Sequence, residues 1–498
     1  MKKPLKSFIL VAKLSAFLIM FLFSNMYAQK QTLCKVVNPW KDDYTTLSDI
    51  TKYRSWGTYN VHDPSCRKFG DYYYMYSTDA IWGDPHMLKL CAPIGNIQIR
   101  KSKDLVHWTF VGWAFSKIPN EAVKWVRDNA NGEGATNVWA PFIMKVGTKY
   151  RLYYCVSAFG LNDSYIGLAE SDSPEGPWIQ KGGVVKTNQQ SVMNAIDPTV
   201  IEDHENGKLW MIYGSYFGGI YCVQLDKSTG FTSVPNDKGH LVARRANYKM
   251  ENMEAPEVIY QPELKKYFLF VSYGPLVTTY NIRVGKADHA EGPYTDFFGK
   301  SLTDTVNAYP ILTAPYRFNH HKGWAGVAHC SVFTDENGNY YMAHQGRLSP
   351  QNMLMDLHVR RLFFTTQGWP SVSPERYAGE KLSNSIHREM LFGEWEIIRI
   401  HDSGARANLQ AGQVSDSELL SSEVNHSFHI NLTPSGNISL SMKGKWSYDN
   451  EQLTLELENE KISHLVVFNG HDWENETRTL LFTGIDENGC SVWGKRIK

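Results

Sequence analysis

Between about residues 55 and 375 the chain alternates short turn-rich stretches with runs of aromatic and branched side chains. Five times a short motif precedes such a run. His62-Asp63-Pro64 leads to Tyr72–Ser77, and Trp139-Ala140-Pro141 to Tyr150–Tyr154. Ile196-Asp197-Pro198 leads to Leu209–Tyr213, and Glu254-Ala255-Pro256 to Tyr267–Val271. Ala328-His329-Cys330 leads to Tyr340–Ala343. In the last three copies a turn lies between motif and run: Glu205–Gly207, Pro262–Lys265 and Asp335–Gly338. Strand, turn and aromatic strand make a hairpin. The copies lie 57 to 76 residues apart, so each has room for about four short strands. Five such units predict an all-β fold, a five-bladed β-propeller over residues 29–385. Each inner strand then starts at the same end of a central channel. Asp63, Trp139, Asp197, Glu254 and His329 are predicted to surround one mouth.

From about Leu391 the pattern changes. Stretches such as Ile438–Met442 and Leu453–Leu457 alternate apolar and polar residues, as half-buried antiparallel strands do. A second domain, a small β-barrel or sandwich over residues 386–498, is expected. Residues 402–424 are polar and Ser-rich and read as a loop. At the other end, residues 1–28 combine four lysines, no acid, an apolar stretch from Leu14 to Phe23, and a small Ala28. That is the form of a secretory signal, and the apolar stretch is too short to span a bilayer. A secreted or periplasmic location with no transmembrane segment follows as the expectation.

Charge changes the picture little. The 498-residue chain balances 51 cationic against 51 anionic side chains. Without the first 28 residues it has 47 against 51, a net charge of −4. No basic stripe calls for nucleic acid. Aromatic residues make up 13% of the chain, which suits strands and sugar-facing surfaces. The seven cysteines include no C-x-x-C pair, which argues against a zinc or redox motif. Cys155 and Cys222 lie inside strand-like runs and read as buried small side chains.

The candidate chemistry lies in three acids. Asp63, Asp197 and Glu254 stand at the entrances of three repeats, each at or one residue before an X-Pro step. The residue before proline avoids helix, so each acid is expected to be held extended. Cleaving a glycosidic bond takes one acid to protonate the leaving oxygen and one base to activate water. A third carboxylate raises the pKa of the acid by its charge. Glu257 reads as a surface or supporting residue pointing elsewhere along its strand, while Glu202 and Asp203 read as solvated.

His62-Asp63-Pro64-Ser65, Asn137–Pro141, Asn194–Pro198, Glu254–Pro256 and Leu357–Leu362 with Gly368-Trp369-Pro370, taken in order, resemble glycoside hydrolase family 43. The likeness is to bacterial extracellular endo-α-1,5-L-arabinanases with an added C-terminal β domain. It implies a secreted inverting hydrolase that cuts internal α-1,5-L-arabinofuranosidic bonds of arabinan, a pectin side chain. It makes Asp63 the general base, Glu254 the general acid and Asp197 the residue that tunes and orients the acid. It implies substrate contacts from Trp139, Phe159, Gly160, Asn194, Ser215, Tyr216 and Phe217. It also implies a calcium ion held by His329, where this chain has Ala328-His-Cys-Ser331 in place of the family's Gly-His-Asn-Ser. A polysaccharide substrate and a monomeric chain are expected. The alternatives are an exo-acting α-L-arabinofuranosidase or β-xylosidase, with residues 81–99 as a blocking loop, and a non-catalytic glycan-binding propeller.

Overall fold

The computed structural model describes residues 50–79, 96–246, 252–349, 355–382, 386–402, 419–457 and 460–497. The expected signal segment, most of the 81–99 stretch and most of the 402–424 loop lie outside these residues. All of the described residues fall within one compact unit.

Four repeats fold into four-stranded antiparallel sheets. The first holds β1 (His62–Phe69), β2 (Tyr72–Thr78), β3 (Gln98–Ser102) and β4 (Thr109–Trp113). The second holds β5 (Trp139–Val146), β6 (Lys149–Ser157), β7 (Ser164–Ser171) and β8 (Ile179–Thr187). The third holds β9 (Thr199–Glu202), β10 (Leu209–Tyr213), β11 (Ile220–Leu225) and β12 (His240–Ala243). The fourth holds β13 (Met253–Gln261), β14 (Lys266–Tyr273), β15 (Asn281–Ala287) and β16 (Ile311–Thr313).

The fifth repeat departs from this plan. Its strands β19 (Cys330–Thr334), β20 (Tyr340–Leu348), β21 (Asp356–Phe364) and β22 (Pro370–Val372) belong to a seven-stranded sheet. That sheet also contains β17 (Tyr316–Arg317), β18 (Trp324–Ala325) and β24 (Asn425–His426). The expectation of five equal blades is therefore corrected to a four-bladed propeller arrangement. The seven-stranded sheet closes the ring, since β19 packs against both β13 and β1. The physical reason is non-local. Strand β20 pairs with β18 as well as with β19 and β21, and β17 pairs in parallel with β24, more than a hundred residues away.

Aromatic and branched side chains fill the space between sheets. Phe142, Tyr153 and Ile166 of the second blade meet Val200, Leu209 and Met211 of the third in one buried cluster. Cys155 and Cys222 are buried free thiols, as their setting suggested. Among the described residues one α-helix, α1 (Asn120–Asn129), lays Ala122 and Val126 against the second blade.

The C-terminal strands are β23 (Gly393–Arg399), β25 (Phe428–Leu432), β26 (Asn437–Leu440), β27 (Gly444–Asp449), β28 (Gln452–Leu457), β29 (Glu460–Asp472), β30 (Thr477–Ile485) and β31 (Ser491–Arg496). They close into a barrel. Eight strands leave an interior that side chains can fill, here Trp395, Leu453, Leu465 and Phe482 among others. One core joins the barrel to the last sheet, with Ile398, Ile485 and Trp493 packed among Tyr316, Trp324 and Trp369. Among the described residues, no helix is long and apolar enough to cross a membrane.

Candidate functional site

The residues at the start of each inner strand share one backbone feature. Asp63, Ala140, Asp197, Ala255 and His329 all have positive φ, between 35° and 56°. Asp63 and Asp197 are thus not held extended, as proline alone suggests, whereas Glu254 keeps strand backbone in β13. Asp63 and Asp197 stand on the left-handed residue itself, and Glu254 stands one residue before it. The ladder slips at the same places, between His62 and Ser65, Trp139 and Phe142, and Glu254 and Glu257. Each slip is a bulge that re-aims a side chain. Left-handed non-glycine residues cost about 1–3 kcal/mol each and cluster at functional sites.

Asp63 is buried and well partnered. His329 Nδ1 lies 2.7 Å from its Oδ1, and Thr78 Oγ1 donates to its Oδ2 at 2.7 Å. Its N–H donates to Gln345 Oε1 at 3.2 Å. Burial opposes its charge, but the His329 imidazole, His62 and these hydrogen bonds outweigh it and hold the carboxyl well below the usual range. Burial acts on His62 as well and holds its imidazole neutral, pulled down to about 4. His329 is also pushed down by burial, yet Asp63, Asp197 and Glu254 together raise it to about 9.

Asp197 and Glu254 shift the other way. Burial raises Asp197 well above the usual range, with help from the charges of Glu254 and Asp63, against the pull of His329. Asp197 Oδ2 accepts from the Ala255 N–H at 3.1 Å, so it grips the backbone beside Glu254. Glu254 is raised by burial, partly offset by Ser215 and Tyr280. Ser215 Oγ donates to Glu254 Oε2 at 2.7 Å, and Tyr280 donates to Oε1 at 2.8 Å. One carboxylate is therefore held ionised while its two neighbours are pushed toward the protonated form.

The remaining residues singled out by sequence divide. Ser215 touches Glu254 directly. Asn194 is buried and accepts from Ser164 Oγ at 2.6 Å, three residues before Asp197. Trp139 is half-buried, with its indole N–H on Asn137, and also packs on the cluster between the second and third blades. Tyr216 takes positive φ, and its N–H meets the Met253 carbonyl at 2.9 Å, which sets the Ser215–Phe217 turn beside the Glu254 strand. Phe159 and Gly160 form the tip of the β6–β7 connection, where Phe159 is 74% exposed.

Sequence reasoning missed Tyr280 and Thr78, and gave Glu257 a surface or supporting role pointing away from the site. Tyr280 and Thr78 lie in ordinary strand-end positions and carry no local signal. Glu257 is 3% exposed and faces the channel. Strict alternation from Glu254 turns it away, but the bulge shifts the register by one and brings it back.

His329 was expected to hold calcium, which takes six to eight oxygen ligands. Here its Nδ1 faces Asp63. It also lines, with Ser65, Asp197 and Glu257, a cavity of about 10 Å³. That is room for about one water. These residues do not fit a calcium ion, and no chemical step is routed through one.

Comparison with known proteins places this geometry. Residues 57–370 match the model for glycosyl hydrolases family 43, and residues 374–494 match that for its C-terminal lipocalin-like domain. An extracellular endo-alpha-(1->5)-L-arabinanase of Thermotoga petrophila is 29% identical, over 88% of this chain and 94% of that one. An extracellular exo-alpha-(1->5)-L-arabinofuranosidase of Cellvibrio japonicus is also 29% identical, over 63% of this chain and 86% of its own. The crystal structure of the endo-1,5-alpha-L-arabinanase from Thermotoga petrophila superposes with a TM-score of 0.74 at 28% identity, over 89% of this chain and 99% of that one.

Proposed function

The chain belongs to glycosyl hydrolases family 43, and from that premise we propose that it is an extracellular endo-hydrolase of α-1,5-linked L-arabinan. It is a glycoside hydrolase, so the question is which bond it cuts and with which groups. The observation that carries the reading is the opposed environment of Asp63 and Glu254. Pairs of titratable groups pushed apart in pKa mark base and acid. Endo action is supported by relatives so named that align along both domains, such as that of Thermotoga petrophila. The exo-acting relative aligns over the smaller share of this chain.

In the proposed reaction Asp63 takes a proton from water as the water oxygen bonds to C1 of the arabinofuranosyl unit. The C1–O5 bond to the next sugar breaks, and Glu254 delivers its proton to that leaving oxygen. The hydroxyls of Ser215 and Tyr280 can donate to ionised Glu254 or rotate to accept from it when protonated. Burial and the negative charge of Asp63 raise the affinity of Glu254 for its proton, and Asp197 holds the backbone beside it. Asp63 and Glu254 stand on β1 and β13, which β19 separates in the ring. His329 begins beside β19, so the two acids come from strands that are not neighbours. That suits the wider carboxyl spacing, roughly 6.5–9.5 Å, of inverting enzymes. Trp139 and Phe159 supply aromatic surface for the sugar chain.

The test is product analysis on linear arabinan. A ladder of oligomers is expected, with the β-anomer formed first. Arabinose as the sole early product means exo action instead. Asp63→Asn and Glu254→Gln should each lower kcat by about 10³- to 10⁴-fold with the fold intact. Near-normal turnover in either removes that residue from its role.

A further inference from the structure

A second layer of contacts lies along the channel, a few residues into each strand beyond the carboxylates. Glu257 Oε1 accepts from Arg67 Nη2 at 2.9 Å and from the Val332 N–H at 3.0 Å. Glu257 Oε2 accepts from Thr199 Oγ1 at 2.9 Å. Arg67 Nη1 donates to Ser331 Oγ and to the Cys66 carbonyl, both at 2.7 Å. The Arg67 guanidinium carbon lies 5.0 Å from the centre of the Phe142 ring. One ion pair thus touches β1, β5, β9, β13 and β19, the full set of inner strands.

The spacing to the candidate chemistry is short on every strand. Arg67 is four residues after Asp63, and Phe142 three after Trp139. Thr199 is two after Asp197, and Glu257 three after Glu254. Ser331 and Val332 are two and three after His329. The Glu257 side chain is 4% exposed and that of Arg67 20%. A buried ion pair of this kind adds little net stability over apolar side chains of the same volume. What it adds is fixed geometry, because guanidinium and carboxylate meet in defined directions. Displacing a reacting group by about 1 Å can cost about 10²-fold in rate.

We propose that Arg67 and Glu257 form an axial clasp that sets the positions of Asp63 and Glu254 relative to each other. Both are positioning residues, acting through strands β1 and β13 and touching no substrate. The inference rests on the roles given above to Asp63 and Glu254. Loosening the clasp lets the two strands settle at a slightly different spacing. Water and leaving group then meet poorly placed carboxylates, while the outer sugar contacts are unchanged.

The test uses the full chain and linear arabinan. Glu257→Gln keeps the shape and removes the charge. Arg67→Lys keeps the charge and removes the fork. Each should lower kcat by about 10- to 100-fold with KM within about twofold, and the double variant should be no worse than the more damaged single. If Glu257→Gln does not fold, Thr199→Val removes one donor alone and should lower kcat several-fold. Folded variants that lose thermal stability but keep wild-type kcat make the pair a plain structural prop and overturn the clasp. If Asp63→Asn and Glu254→Gln are inactive in the same assay, that failure belongs to the clasp and not to the roles of the two acids.

Discussion

Arg67 and Lys495 are both largely buried cations facing carboxylates, one on the propeller axis and one at the seam with the barrel. Arg67 meets a single carboxylate, and neutral donors satisfy the rest of that group. Lys495 meets three. Its ammonium lies 2.9 Å from Glu375 and 2.9 Å from Asp472, pairs with Glu474 as well, and sits 4.2 Å from the Phe318 ring centre. Charge cancels on the axis and does not cancel at the seam. The excess appears as displaced protons: burial and the charge of Glu474 push Glu375 well above the usual range, while Lys495 overcomes burial and pulls Glu474 far below it. Among the described residues these three acids are the one group close enough together to hold a metal ion, and the ammonium already stands among them. Matched charge can fix a position without storing strain. Unmatched charge ties two domains together only while its cation stays in place.

The sharpest way to break this contrast is to remove each cation. Lys495→Met leaves acids buried without their partner, and should cost about 3–5 kcal/mol of stability, read as a lower urea midpoint. Its kcat per folded molecule should stay near wild type, because the seam touches none of the acids at the mouth. Removing Arg67 also strands a buried carboxylate, Glu257, and should lower the urea midpoint as well, but there kcat per folded molecule should fall with it. If the Lys495 variant instead loses kcat while remaining folded, the seam and the mouth are coupled and the contrast fails.

The two regions also differed in how far the chain announced them. Asp63, Asp197, Glu254 and His329 were visible because each repeats with a nearby aromatic strand at a regular interval. Their convergence follows from propeller topology. The left-handed backbone at Asp63 and Asp197 was not visible, because a following proline argues for extended structure and tertiary packing overrides it. Glu257 was hidden by a single inserted residue that reverses inside and outside. The seven-stranded sheet was hidden because Tyr316 pairs with Asn425 across more than a hundred residues. Lys495 had no local sign either, since Glu375 lies 120 residues away.

A smaller effect separates the two acids at the mouth. Tyr280→Phe deletes the hydroxyl that donates to Glu254 Oε1. A hydrogen bond of this kind contributes about 1 kcal/mol, so kcat should fall about fivefold. The donor lowers the pKa of Glu254, so its loss raises that pKa. The general acid then keeps its proton to higher pH, and the alkaline limb of kcat/KM should move upward. The acid limb, set by Asp63, should not move. An alkaline limb that stays in place would take Glu254 out of the acid role.

The least of these effects is expected at Glu375, and its sign comes from linkage. Folding raises the pKa of Glu375, so the native state binds that proton more tightly than the unfolded chain. Its contribution is present below the ordinary glutamate pKa and is lost as pH rises through the folded value. Glu474 runs the other way, with a contribution present above the ordinary pKa and lost on acidification. Glu375→Gln keeps the shape, keeps a neutral group beside Lys495 and removes the first of these titrations. Urea midpoints measured from pH 5 to pH 9 should therefore fall less toward alkaline pH in the variant, by about 1 kcal/mol of stability. The decline below pH 5 should survive unchanged. An alkaline decline equal to that of the wild type would mean that Glu375 is ionised in the native protein. The seam would then carry its full negative excess against a single ammonium, and Lys495→Met should cost still more.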